Sequence, residues 1–171
     1  MKILVLNGSP RLNGNTAALV ESFKNGAESS ENEVKVLQVG RMKIGGCLNC
    51  DGCKNSTDGK CVVKDDMQTV YDEMEKCDLL VIASPIHYWS FTGQMQCAIS
   101  RFYAPFKPSV RKYAMILSSG DDGVYNAPVS QYKDMLEWFE AEDLGIKTVF
   151  GEHNKSKEAL DEMYEFGKSV K

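Results

Sequence analysis

The chain has 171 residues, 43% of them apolar and 26% charged, with a formal net charge of −4. That length suits one domain, residues 1–171, with a sizeable core, and the mild acidity argues against a general nucleic-acid binder, which needs a basic face. No apolar run approaches the roughly 20 residues of a membrane span, and the first, residues 3–6, is too short for a secretory leader, so a cytoplasmic protein without a membrane partner is expected.

Short apolar runs alternate with helical patterns. Residues 2–7 (KILVLN) read as a buried strand. A helix is predicted from Asn15 to about Asn25, with Leu19, Val20 and Phe23 on one side. Residues 33–39 (EVKVLQV) alternate and read as a strand nearer an edge. Asp66 is placed to cap the next helix, where Met67, Val70, Tyr71 and Met74 keep helical spacing. Residues 78–83 (DLLVIA) form a second buried strand. Met95, Ala98, Ile99 and Phe102 make another helical stripe, which Pro105 ends. Residues 112–117 (KYAMIL) are a fourth strand. Tyr132, Met135, Leu136 and Phe139 mark a helix closed near Gly145, ahead of a fifth strand at 146–150 (IKTVF). Leu160, Met163, Phe166 and Val170 suggest a last helix. Five strands alternating with helices imply an α/β fold, a parallel sheet covered on both faces.

Residues 8–16 (GSPRLNGNT) join the first strand to the first helix. Free N–H groups and the helix dipole favour a phosphate there. Ser9, Asn15 and Thr16 can donate further hydrogen bonds, Arg11 can add charge, and Gly8 and Gly14 allow close backbone approach. The spacing is not that of a nucleotide triphosphatase loop, because Asn15 stands where a lysine is needed. Nor is it a dinucleotide fingerprint, since no acidic residue follows the second strand. A terminal monophosphate suits the loop best.

The long connection at 43–64 holds four of the six cysteines. Cys47, Cys50, Cys53 and Cys61 follow C-x2-C-x2-C-x7-C. Three cysteines in seven residues can wrap one side of an iron–sulfur cubane, and a fourth closes it. Structural zinc prefers two separated pairs. Cys77 and Cys97 read as core or incidental thiols, and His153 as a surface residue.

The GSPRLNGNT loop, the cysteine stretch running on through GKCVVKDDM, and residues 84–89 (SPIHYW) occur in this order. Together they resemble the NADPH-dependent FMN reductase and flavodoxin-like families, and within them the iron–sulfur flavoproteins. The resemblance implies a flavodoxin-like three-layer fold with strand order 2-1-3-4-5 and FMN at the C-terminal edge of the sheet. It implies FMN contacts from Ser9, Arg11, Asn13, Asn15, Thr16 and Ala17 in the first loop. The loop after the third strand would contribute Ser84, Pro85, Ile86, His87, Tyr88 and Trp89, and the loop after the fourth Ser118, Ser119 and Gly120. His87 is a weak candidate for a proton donor. The four cysteines become ligands of one [4Fe–4S] cluster, passing electrons between a donor such as ferredoxin and FMN. Two alternatives stay open: a cluster-free NAD(P)H-dependent reductase of quinone, nitro, azo or metal acceptors, and a flavodoxin-type carrier. A homodimer or homotetramer is also implied.

Overall fold

The computed structural model describes residues 1–104 and 108–171; Pro105, expected to end a helix, lies outside the described residues. The apolar runs form the strands β1 (Lys2–Asn7), β2 (Glu33–Leu37), β3 (Leu79–Pro85), β4 (Lys112–Ser119) and β5 (Glu142–Phe150). All pair in parallel, in the order β2-β1-β3-β4-β5 implied by the flavodoxin-like resemblance. The helices are α1 (Asn15–Ser29), α2 (Gly52–Asn55), α3 (Met67–Met74), α4 (Gly93–Ser100), α5 (Asn126–Phe139) and α6 (Lys157–Ser169). β1 and β3 are continuous apolar runs because both of their faces are covered. Alternate residues therefore enter two cores. Ile3, Val5, Val81 and Ile116 pack under α1 and α6, while Leu4, Leu6, Ile82 and Met115 pack under α3, α4 and α5.

Two glycines bring α1 and α6 into backbone contact. A Cβ on Gly26 would lie 1.9 Å from the Tyr164 carbonyl oxygen, and one on Gly167 1.9 Å from that of Phe23. Among the described residues no helix is long and apolar enough to cross a membrane.

Several local expectations need correction. α5 ends at Phe139, with Glu140 in the left-handed region at φ 54°, and β5 begins at Glu142 rather than 146. Gly145 is therefore no helix stop. It sits within β5 at φ 133°, where Tyr113 pairs with Asp143 but Met115 with Ile146, so β5 carries one extra residue, a bulge. Asp66 stands at the start of α3, but its carboxylate accepts the Lys43 N–H at 2.7 Å; Asp65 accepts the Met67 N–H at 3.1 Å in its place. The first helix runs on to Ser29 and the second strand stops at Leu37.

Candidate functional site

The C-terminal ends of β1, β3 and β4 lie side by side, so their loops share one edge of the sheet. β1 ends in Asn7, fully buried, whose Oδ1 accepts the Ser9 N–H at 2.9 Å. Gly8 is held from two sides: its N–H donates to the Ala83 carbonyl at 2.8 Å, and its carbonyl accepts the Thr92 hydroxyl at 2.9 Å. Ser9 Oγ accepts the Arg11 N–H at 3.2 Å. The ladder of α1 begins with the Ala18 N–H on the Gly14 carbonyl at 3.1 Å. Gly14 has no side chain to cap the helix, so the amides of Asn15, Thr16 and Ala17 lack a protein acceptor among the described residues. These are the orphan donors of a helix start, carrying its positive dipole end. Thr16, 1% exposed, shares a 2.7 Å hydrogen bond with the Ser118 hydroxyl and so ties the loop to the end of β4.

The loop after β3 is equally fixed. The Ile86 N–H donates to the Ser118 carbonyl at 2.8 Å, and Ser84 Oγ accepts the Thr92 N–H at 3.2 Å. Next comes a two-residue turn, closed by the His87 N–H on the Ser90 carbonyl at 2.9 Å. Its central residues Tyr88 and Trp89 both have positive φ, 52° and 61°. Bulky side chains rarely adopt that conformation, and such strain gathers at ligand clamps and active sites.

A cleft of about 370 Å³ unites the three loops. Ser9, Arg11, Asn15, Thr16, Pro85, Ile86, His87, Ser118, Ser119 and Gly120 all line it, as the sequence leads one to expect. The other five expected residues do not. Asn13 and Ala17 line a separate hollow on the far side of the loop. Ser84 is buried beneath it, its hydroxyl donating to the Pro85 carbonyl at 2.8 Å. Tyr88 and Trp89 project from the turn, 92% and 58% exposed, and pack on each other edge to face. Gly151 and Asn154, in the turn after β5, are walls that the sequence reading missed. Buried Asn154 donates from Nδ2 to the carbonyls of Ser119 and Gly151, both at 2.8 Å, and so joins the β4 and β5 loops. From the same turn, Lys155 Nζ donates to the Asn13 carbonyl at 3.0 Å. His153 is exposed, as expected, with its ring edge-on to Phe150.

The cysteine connection forms a second centre. Cys47, Cys50, Cys53 and Cys61 are all free thiols and all line one small hollow, with Leu48, Val63, Ala104 and Arg101. Among the described residues no three metal-binding side chains converge closely enough to share a single ion. The segment rests on the end of α4. Ser100 Oγ accepts the Cys47 N–H at 3.0 Å, and the Tyr103 hydroxyl donates to Asp51 Oδ1 at 3.3 Å. Burial raises the Asp65 carboxyl, but the Arg101 guanidinium and the amides of Gly45 and Met67 outweigh it and hold the group below the usual carboxylate range. Cys77 lies apart under β1, and burial pushes its thiol up to about 12.

The pattern of the NADPH-dependent FMN reductase family matches residues 1–155. This chain belongs to that family. Among curated relatives, an iron–sulfur flavoprotein of Methanocaldococcus jannaschii is 37% identical over 101 residues, 59% of this chain and 50% of the relative. An iron–sulfur flavoprotein of Clostridioides difficile is 25% identical over 160 residues, 90% of this chain and 70% of the relative. The chain spans about half the length of the first of these. The fold matches that of an NAD(P)H:quinone oxidoreductase from Methanothermobacter marburgensis with a TM-score of 0.76 at 12% identity, covering 98% and 92% of the two chains.

For a member of the FMN reductase family, the cleft must accept a phosphate at one end and a flat ring at the other. Uncapped amides and the Thr16, Ser118 and Ser9 oxygens supply the first end. Pro85, Ile86, His87 and Gly120 supply the second. The volume lies within the range of small-molecule sites, so the residues present fit the cofactor.

Proposed function

We propose that this chain is an FMN-dependent oxidoreductase, with FMN in the cleft and one [4Fe–4S] cluster in the thiol cavity. The single observation that carries the flavin site is the uncapped start of α1, opening into a cleft shared with the β3 and β4 loops. Bound flavin supplies electron transfer in steps of one or two. The residues that would position it are the amides of Asn15 and Thr16 with Arg11 for the phosphate, Thr16 and Ser118 where the loop is tied to β4, and Pro85 and Ile86 for the ring. His87 lies at the cleft, where its imidazole can hold a proton beside the ring.

Four thiols lining one hollow, in the spacing C-x2-C-x2-C-x7-C rather than two separated pairs, support a cluster over zinc. A lone ion draws its ligands onto one centre, whereas a cubane offers a separate iron to each thiolate. Ferredoxin or NAD(P)H is the electron donor in this reading. Exposed Leu48, Tyr88 and Trp89 give a homodimer or homotetramer apolar surface to bury.

The second reading, a cluster-free NAD(P)H-dependent reductase, draws on the family's own description. Anaerobic purification separates them. Iron and acid-labile sulfide in one-cluster amounts, beside bound FMN, support the first. Flavin bands alone, with turnover of NAD(P)H and a quinone, support the second. Colourless protein that takes up no added FMN refutes both.

A further inference from the structure

Arg101 follows the last residue of α4 and is the one charged side chain among the buried residues described, 1% exposed. A guanidinium out of water is tolerated only when its donors and charge are used. Nη1 donates to Asp65 Oδ2 at 2.8 Å and to the Gly45 carbonyl at 3.1 Å; Nη2 donates to the Val63 carbonyl at 3.4 Å. Gly45 stands two residues before Cys47, and Val63 two residues after Cys61. One side chain thus joins both ends of the segment that carries all four thiols. Arg101 also lines the cavity those thiols share, and its Nε has no partner among the described residues.

We propose that Arg101 is the positioning residue of the thiol cavity, its fork closing the cysteine segment and its charge offsetting the negative charge gathered inside. The inference rests on reading that cavity as a cluster site. Four thiolates and the sulfides they enclose carry net negative charge, and reduction adds more. A fixed positive charge beside them eases that addition and raises the reduction potential. The two roles separate chemically: lysine keeps the charge and loses the planar fork, and methionine loses both.

The test compares wild type with Arg101→Lys, Arg101→Met and Asp65→Asn. Three quantities are read: FMN affinity, the rate of protease cleavage between residues 46 and 62 without iron, and, after anaerobic reconstitution with iron and sulfide, sulfide content and reduction potential. FMN affinity reports folding and should stay within twofold. Cleavage in Arg101→Met should rise at least about tenfold, since several charge-assisted bonds holding the segment are lost. Its residual cluster should titrate at a lower potential than wild type. Arg101→Lys should show faster cleavage with a near-normal potential. Unchanged cleavage in Arg101→Met refutes the closing role, and an unchanged potential refutes the charge role. If Arg101→Met fails to bind FMN, the lysine variant and Asp65→Asn, which removes the fork's carboxylate partner, decide the closing role through cleavage. If wild type itself takes up no sulfide, the cluster reading and the charge role fall together, while the cleavage comparison still decides the closing role.

Discussion

Gly40 tests the phosphate loop without touching a ligand-facing residue. It lies in the 3-10 turn Val39–Arg41, directly behind the loop. A Cβ there would stand 2.4 Å from the carbonyl carbon and oxygen of Ser9 and 2.6 Å from the Gly8 oxygen. That is about 1 Å inside ordinary contact, and the atoms in the way are backbone. Gly40→Ala therefore forces residues 8–9 to shift. They are pinned by bonds of 2.8–2.9 Å to Ala83, Thr92 and Asn7, so a shift of about 1 Å breaks that frame and moves the phosphate donors with it. Losing one hydrogen bond to a charged group costs about 1.5–3 kcal/mol, which raises the Kd for FMN about 10- to 150-fold. The assay is quenching of flavin fluorescence on titration with protein, run beside riboflavin, which lacks the phosphate. Riboflavin should bind the variant about as it binds wild type. A Gly40→Ala protein that binds FMN within twofold of wild type refutes the reasoning. Equal weakening of both flavins would move the effect away from the phosphate and refute it too.

Gly167→Ala should destabilise the fold by about 3 kcal/mol or more, because its Cβ would overlap the Phe23 carbonyl and part α1 from α6; a loss under about 1 kcal/mol in urea denaturation would contradict that packing. Asp65 has a folded pKa below its unfolded value, so its ionised form contributes stability above the unfolded pKa and loses it as pH falls through the folded one. Asp65→Asn should thus be less stable than wild type at neutral pH by about 1–3 kcal/mol, with the gap closing in acid; a gap independent of pH would exclude the ion pair as its cause. Cys77, raised to about 12 by burial, should be the slowest thiol to alkylate at pH 8 in native protein and ordinary in urea, against exposed Cys47 and Cys50. Early labelling of Cys77 in native protein, read by mass spectrometry, would refute its burial.

The sheet was legible because buried parallel strands are written as unbroken apolar runs, and residues 2–7 and 78–83 are too short for helices and rich in branched side chains. The edge was less so. Glu142 and Asp143 open β5 with two exposed charges, and Gly145 has the look of a helix stop, so only the pairing with β4 reveals a bulged strand. In the site, the phosphate loop was legible because its chemistry is local to nine residues. The outward direction of Tyr88 and Trp89 was not legible, because it depends on two positive φ angles that aromatic residues do not announce. Asn154 gave no signal beyond following the last strand. Arg101 was hidden in an apolar stripe, where its neighbours Ile99 and Phe102 are core residues.

α4 gives the two centres a fixed relation. At its start, Thr92 caps the helix, accepting the Met95 N–H at 3.2 Å, and also donates to the Gly8 carbonyl of the phosphate loop. At its end, Arg101 and Ser100 hold the cysteine segment. Eight residues at 1.5 Å each make the helix about 12 Å long. One side of it packs into the core through Met95, Ala98 and Ile99, so it cannot slide without opening that core. The spacing between the FMN cleft and the thiol cavity is therefore set by a rigid element within one chain, not by the cysteine connection itself. Changes within that connection alter the lining of the cavity, while the distance from its seat to the cleft stays with α4.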